Sequence, residues 1–478
     1  MDEKNTALLC DFYEFTMGNG YFLTGKKNRT ACFDVYFRRI PDGGGYVIAA
    51  GLDTIIDFID NLKFTDEDIE TLRNKKIFDE GFLSYLRNFK LECDIFAVPE
   101  GTPVFPNEPI ITVKGPAIQA QLLETILLLL TNHQSLIATK ASRICRAASG
   151  RPVFEFGSRR AQGTNAAVLG ARAAYIGGCM GTACAICERL YDIPAVGTMA
   201  HSWVQMYDSE LEAFETYAKL YPDNCTLLVD TYNVLKSGIP NAIKTYETVL
   251  KPLGKRLSGV RIDSGDIAYL TKKTRKLLDE AGLPDCKIFV SNSLDEYIIR
   301  DILNQGAKVD FFGVGERLIT SKSEPVLGGV YKLVAAEDSD GKLIPKIKLS
   351  ENVEKITTPG YKEVYRLFSN STGKMVADLI ALKDEEFDFT KPITLFHPQF
   401  TWKKKTFENY TAVKLLKPIY LKGKRVYSSP AISDIKNYCN DQISKLWDEL
   451  VRFENPEEYY VDLSQKLWNT KNELLNMN

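Results

Sequence analysis

VFEFGSRRAQG at 153–163, AVGTMAHS at 195–202, TLLVDTYN at 226–233, GVRIDSGD at 259–266, KIFVSNS at 287–293, VDFFGVGER at 309–317 and LGGVYKLV at 327–334 share one pattern. Each is a short apolar run that stops abruptly in polar or glycine-rich residues, and the stretches between them read mostly as helix. Strands that stay apolar to their last residue are buried on both faces, as parallel strands separated by helices must be. The pattern predicts an α/β fold in which seven such strands close into a ring. In a ring of this kind the polar residues at the carboxyl ends of the strands converge on one mouth. Arg159, Arg160, His201, Asp230, Arg261, Asp263, Asn292 and Arg317 are therefore expected to line one pocket.

Working outward, residues 1–115 mix a helix, the glycine turn Gly43-Gly44-Gly45 and strands near ACFDVYFRRI and PIITVKG, which predicts an α+β domain. A long helix is expected from Ala117 to Ser149, stopped by Gly150 and Pro152. It opens a second domain at 116–335 that carries the strand and helix alternation. KLIPKIKLS, KEVYRLFSN, GKMVADLIAL and TAVKLLKPIYLKG then read as strands, within 336–425, that return to complete the first domain. The last part, 426–478, reads as helical.

The 478 residues suffice for more than one domain and a large core. A formal net charge of −2 gives no reason to expect nucleic acid or a membrane as partner. Ten cysteines without regular spacing, and a start, Met1-Asp2-Glu3-Lys4, that does not read as a signal peptide, predict free thiols in the cytoplasm. LLETILLLLTNHQSLIATK is the most apolar stretch, but Glu124, Asn132 and His133 fall inside the length a bilayer demands, so it reads as a core helix.

The familiar phosphate loop, dinucleotide fingerprint and H-E-x-x-H motif are missing from the sequence. Cys179, Cys184 and Cys187 have part of an iron–sulfur spacing, but AAYIGGCMGTACAICERL reads better as a small-residue helix with cysteine as a minor hydrophobe. Arg159 and Arg160 are harder to read as structural, because adjacent guanidinium groups repel unless an anion lies between them. Ser291-Asn292-Ser293 and Gly313-Val314-Gly315 follow strands where backbone N–H groups can hold phosphate, although Ser293-Leu294-Asp295-Glu296 also reads as a capping box. His201 stands where a strand turns polar, and Asp230 at the next strand end is placed to orient its imidazole.

EFGSRRAQG, GTMAHSW, LVDTYN, GVRIDSGD and FGVGERL, with LLCDFYEFTMGNGY near the start and ENPEEYYVDLSQKLW near the end, closely resemble the nicotinate phosphoribosyltransferase family, a type II phosphoribosyltransferase group. The resemblance runs in order from Leu8 to Trp468. It implies an irregular TIM-like α/β barrel beside an open-faced α+β domain built from N-terminal and later segments. It also implies synthesis of nicotinate mononucleotide and pyrophosphate from nicotinate and phosphoribosyl pyrophosphate, coupled to ATP hydrolysis in NAD biosynthesis.

By resemblance, His201 is the histidine that ATP phosphorylates and Asp230 holds its ring. Tyr13 stacks on the pyridine ring, reaching in from a second subunit of a homodimer with shared sites, and Phe156 covers the other face. Arg159, with Arg160 beside it, contacts the substrate, and the pair suits a carboxylate. Arg261 and Asp263 hold the phosphoribosyl group and its hydroxyls. Ser291, Asn292 and Gly315 form the 5′-phosphate cradle, with Arg317 and Lys332 nearby. Mg²⁺ is expected to bridge the pyrophosphate with few protein ligands, and no residue is assigned as a metal ligand. Departure of pyrophosphate leaves an oxocarbenium-like carbon, so the protein has to neutralise the leaving charge and orient the pyridine nitrogen. Two alternatives stand beside this reading. One is the nicotinamide-using relative, against which the arginine pair argues; the other is a barrel-fold binding or iron–sulfur protein.

Overall fold

The computed structural model describes residues 6–477. The opening Met1-Asp2-Glu3-Lys4, on which the expectation of a chain without a leader rests, lies outside them. The chain forms two compact units. One holds the chain up to Leu136 and again from Val326, and the other is Ile137–Pro325.

The second unit is built on five parallel strands in the spatial order Val153–Glu155, Phe311–Val314, Lys287–Asn292, Gly259–Ile262, Thr226–Leu228. Val153, Leu227, Leu228, Val260, Ile262, Ile288, Val290, Phe312 and Val314 are all essentially inaccessible, which is why these strands read as unbroken apolar runs. Single parallel bridges extend the sheet from Glu155 to Thr182 and from Thr182 to Ala195. Five of the seven runs thus lie side by side as strands, and a sixth, at 195–202, reaches the array only through the bridge from Ala195 to Thr182. Among the described residues no backbone pairing joins Ala195 to Thr226–Leu228, so the hydrogen-bonded ladder is open there.

The seventh run does not join this sheet. Val330–Glu337 pairs antiparallel with Thr30–Tyr36 in the first unit. Its residues explain why: Tyr331 is buried and stacks on Phe33 with ring centroids 4.7 Å apart, whereas Lys332 is half-buried and Leu333 exposed. A strand that carries a half-buried lysine and an exposed leucine in mid-run is not dry on both faces, as the middle of a parallel sheet requires. The boundary consequently falls before this strand and not at 335. At the other end, Ile118 and Leu122 pack into a cluster with Phe15 and Phe82, so the chain stays in the first unit well past 116.

The first unit contains a seven-stranded sheet in the order Leu343–Pro345, Val330–Glu337, Thr30–Tyr36, Ile111–Pro116, Asp94–Ala97, Lys417–Leu421, Lys424–Arg425. A four-stranded sheet orders Tyr410–Lys414, Lys362–Ser369, Met375–Leu382 and Val461–Leu463. The last of these falls inside 426–478, which is therefore not wholly helical; Ile432–Ser444 and Gln465–Asn476 are its helices. The helix expected over 117–149 is two, Ala117–Gln121 and Glu124–Ala147, followed by Ser149 and Gly150 with positive φ as helix ends favour. Among the described residues no helix is long and apolar enough to cross a membrane.

Arg366 is fully buried in the four-stranded sheet. Its Nε and Nη2 donate to Asp378 at 2.9 and 2.6 Å, its Nη1 donates to Pro103 O at 2.8 Å, and Phe105 and Tyr459 stack beside it. Removing Asp378 would leave the buried guanidinium with only Glu108, 3.9 Å away, as a counter-charge, and breaking such a pair costs about 3–5 kcal/mol. Asp378→Ala is expected to lower the chemical-denaturation midpoint accordingly, and an unchanged midpoint would show that Arg366 finds another partner.

Candidate active site at the carboxyl ends of the parallel strands

Because the five strands run the same way, the residues that follow them share one edge of the sheet. Arg261 is the organising group. Its Nε donates to Ser291 Oγ at 2.7 Å, Nη1 to Thr198 Oγ1 at 3.2 Å and Nη2 to Asp263 Oδ1 at 3.2 Å. Ser291 Oγ donates to the same Asp263 oxygen at 2.5 Å. The guanidinium also lies 5.6 Å over the Phe156 ring, which packs against Phe289. Gly313 is required beneath that ring, since a Cβ there would come within 2.8 Å of it.

His201 opens the short helix His201–Gln205. Its Nδ1 lies 3.1 Å from Thr231 Oγ1, and its Nε2 lies 3.8 Å from Asp263 Oδ2. Asp230, expected to hold the ring, does not touch it. Its Oδ2 accepts from Asp263 N at 3.0 Å and Ser264 Oγ at 2.6 Å, while Oδ1 is buried with no partner among the described residues. The strand ends at Leu228 and the chain bends at Thr231, and it is Thr231 that faces the imidazole. A cleft of about 460 Å³ is lined by Ala200 and Ser202 together with Trp203, Tyr217 and Tyr221, but not by the His201 ring.

Arg159 and Arg160 lie on the 3-10 turn Ser158–Arg160, exposed, and neither side chain makes a hydrogen bond or ion pair among the described residues. The turn rests on Glu155, which the sequence reading passed over as part of an apolar run. Glu155 is completely buried, accepts from Gly157 N, and accepts from Thr182 Oγ1 at 2.6 Å. Burial pushes its carboxyl upward.

Asn292 is exposed and its Oδ1 accepts from Ser293 N at 2.7 Å. Ser293 does not cap the next helix. Asp295 does, accepting from Tyr297 N at 3.1 Å and Ile298 N at 2.9 Å, because the helix starts at Glu296 and not two residues earlier. Asp295 also binds Arg317, which is thereby committed to the protein. Gly315 precedes the four-residue helix Glu316–Ile319. Two of the expected residues lie in the first unit. Tyr13 is exposed on the helix Phe12–Leu23. Lys332 Nζ donates to Tyr331 O at 2.8 Å; burial lowers its pKa, opposed by Glu124 and assisted by Lys348 and Arg38.

The cysteine segment is not one helix. Thr164–Ile176 ends before Gly177, and Gly178 at φ +120° takes a conformation that no helix interior uses; a short helix, Ile186–Tyr191, follows. Cys179 and Cys187 are buried, and burial pushes Cys187 up to about 12. Among the described residues no three His, Cys, Asp or Glu side chains form a metal-holding group, so the iron–sulfur alternative has no ligand set.

Comparison with known proteins gives three matches that together span most of the chain. Residues 8–132 match the nicotinate phosphoribosyltransferase (NAPRTase) N-terminal domain, 152–343 the NAPRTase family and 361–471 its C-terminal domain. The chain belongs to the nicotinate phosphoribosyltransferase family. It is 44% identical to nicotinate phosphoribosyltransferase of Bacillus subtilis, over 98% of this chain and 95% of that one. A Mycobacterium tuberculosis nicotinate phosphoribosyltransferase is 38% identical over 96% and 92%. The crystal structure of human nicotinic acid phosphoribosyltransferase superposes with a TM-score of 0.84 at 28% identity, covering 97% and 99%. The protein is accordingly an enzyme, a glycosyl-group transferase of NAD salvage with a mixed α/β fold.

Glu155→Ala is expected to leave the Thr182 O–H proton and the Gly157 N–H without acceptors, although Cys184 N still donates to the Thr182 hydroxyl, at about 1–3 kcal/mol. It should also raise KM for the acceptor substrate by loosening the Ser158–Arg160 turn. Thermal unfolding and steady-state kinetics together check this; a stable protein with unchanged KM would show that the turn holds without Glu155.

Proposed function

We propose that the enzyme joins nicotinate to the phosphoribosyl group of phosphoribosyl pyrophosphate, releasing pyrophosphate, and couples this to ATP hydrolysis through phosphorylation of His201. The observation that carries the reading is the strand-end cluster. A solvent-open histidine faces Thr231 and Asp263, and two arginines on another strand end of the same sheet make no side-chain hydrogen bond or ion pair among the described residues. Arg159 and Arg160 are suited to an anionic ligand, since unpaired guanidinium groups bind carboxylate or phosphate through a fixed fork. Phe156, half-buried under the Arg261 guanidinium, stands at the same edge. Arg261 serves differently from a free cation: its N–H groups are engaged, so it acts by fixing Asp263 and Ser291, and Asp263 is left to meet ribose hydroxyls. Ser291, Asn292 and Gly315 would form the 5′-phosphate cradle. Arg317, bound to Asp295, would add positive charge.

Mg²⁺ suits this donor set as a companion of phosphate. The orphaned Asp230 Oδ1 is one available carboxylate oxygen, and a hard cation would take its other ligands from pyrophosphate and water. When bound it would neutralise the leaving group. The pyridine nitrogen of nicotinate attacks ribose C1 as the C1–O bond to pyrophosphate breaks, and the bond electrons leave with pyrophosphate. The phosphohistidine contributes only if the phosphorylated and free enzymes bind substrate and product differently.

The parallel sheet is read as an irregular TIM-like barrel whose seam is bridged by side chains where the backbone ladder is open. The Arg261–Thr198 and His201–Thr231 contacts both cross it. A homodimer with shared sites, to which Tyr13 contributes, is supported by the exposure of Leu9, Phe12, Tyr13 and Met17. A cytoplasmic location accords with ten free cysteines.

The test is an assay with Mg²⁺, ATP and phosphoribosyl pyrophosphate, offering nicotinate and nicotinamide in parallel and quantifying both mononucleotides and ADP. Nicotinate mononucleotide formed together with ADP is expected, and turnover of nicotinamide instead would overturn the reading of the arginine pair. His201→Ala is expected to abolish ATP hydrolysis while some ATP-independent transfer persists; an unchanged ATPase would move the phosphoryl group to another residue. Arg159→Ala is expected to raise KM for nicotinate more than KM for phosphoribosyl pyrophosphate, and the reverse order would place Arg159 at the phosphate end.

A further inference from the structure

Thr231 follows Asp230 in LVDTYN, and it is the residue in contact with the His201 ring. We propose that Thr231 is a positioning residue that fixes the His201 tautomer: its Oγ1 accepts the Nδ1 proton, and the Nε2 lone pair is presented to the open side of the site. The inference rests on the reading of His201 as phosphoryl acceptor.

The geometry leaves one arrangement that can work. A nucleophilic imidazole needs one ring nitrogen bare and reachable, and which nitrogen carries the proton is set by the hydrogen bond that the other makes. Thr231 Oγ1 covers Nδ1 at 3.1 Å, so a phosphorus atom cannot reach it. Nε2 lies 3.8 Å from Asp263 Oδ2, too far for a hydrogen bond that would hold a proton there. Asp263 is itself drawn toward Arg261 and Ser291 through its other oxygen. Asp230, the alternative orienting carboxylate, is turned to Asp263 N and Ser264. The ring remains open to solvent, with the side chain 41% exposed.

In the step this arrangement serves, the Nε2 lone pair attacks the γ-phosphorus of ATP. The N–P bond forms as the bond from phosphorus to the β,γ-bridging oxygen breaks, and ADP leaves with that electron pair. The proton on Nδ1 stays in place, and its hydrogen bond to Thr231 steadies the positive charge that develops on the ring.

The chain has only three histidines, His133, His201 and His397, so protein labelled with ¹⁵N-histidine gives three ring systems, with His201 assigned by its loss in His201→Ala. Without ATP, the neutral His201 ring is expected to carry its proton on Nδ1. Thr231→Val keeps the side-chain shape but lacks the hydroxyl, and should move the proton to Nε2; Thr231→Ser should restore Nδ1. Thr231→Ala serves if the valine variant fails to fold, and unchanged His133 and His397 signals report an intact protein. With γ-labelled ATP, Thr231→Val should form phosphohistidine about tenfold or more slowly, and Thr231→Ser within a few-fold of the wild type. A wild-type ring protonated on Nε2, or the same tautomer in wild type and Thr231→Val, would overturn the proposal. A wild-type enzyme that takes no label would overturn the phosphohistidine reading instead, a result separate from the tautomer because the ring is observed with no nucleotide present.

Discussion

Arg261 sits one residue from the end of its strand, and its guanidinium is engaged on every side by the protein: Ser291, Thr198, Asp263 and the face of Phe156. A planar cation that never loses its proton holds several partners in fixed directions at once, which a lysine could not do. The rest of the site is arranged around that fork. It draws Asp263 to one side, leaving the other carboxylate oxygen toward His201, and it anchors Thr198 three residues before the histidine. Where the backbone ladder is open, a side chain performs the closure.

The same logic recurs one strand further on. Glu296 is fully buried and accepts from Lys140 at 2.9 Å and Arg143 at 2.8 Å, while its neighbour Asp295 caps the helix and binds Arg317. Two consecutive carboxylates thus face two separate sets of cations at one helix start. Buried pairs of this kind add little net stability against apolar replacements, but losing one partner is costly. The segment after Lys287–Asn292 is therefore held in a single place, which suits a loop required to present backbone and small polar groups to a phosphate.

Much of this was legible in the sequence where one physical rule acted alone. Parallel strands announce themselves by staying apolar to the end, and five runs obeyed, while AVGTMAHS, half-buried or exposed over most of its length, makes only the Ala195 bridge. LGGVYKLV did not obey, because its lysine at 332 signals a strand that is not dry on both faces, a detail that overall apolar content hides. Position in sequence also could not decide between Asp230 and Thr231 as the partner of His201, since the strand stops at Leu228 and the bend at Thr231 sets which side chain meets the ring. Gly178 shows a third limit: a glycine is compatible with a helix on paper, and only the fold reveals that it adopts a φ which ends one. Glu155 was missed because an acid buried under a turn looks, in sequence, like the polar end of a strand.

The interleaved order of the seven-stranded sheet bears on how the chain is made. Thr30–Tyr36 has Val330–Glu337 as one neighbour, and Asp94–Ala97 has Lys417–Leu421. Those partners leave the ribosome roughly 300 residues later, which at about 5–20 residues per second is on the order of 15–60 s. Through that interval the early strands carry open edges, the kind that invite pairing with other chains. The unit Ile137–Pro325, whose strands all lie within its own stretch, has no such wait. Its formation first, with the early strands shielded until synthesis ends, is the order of events that this topology imposes.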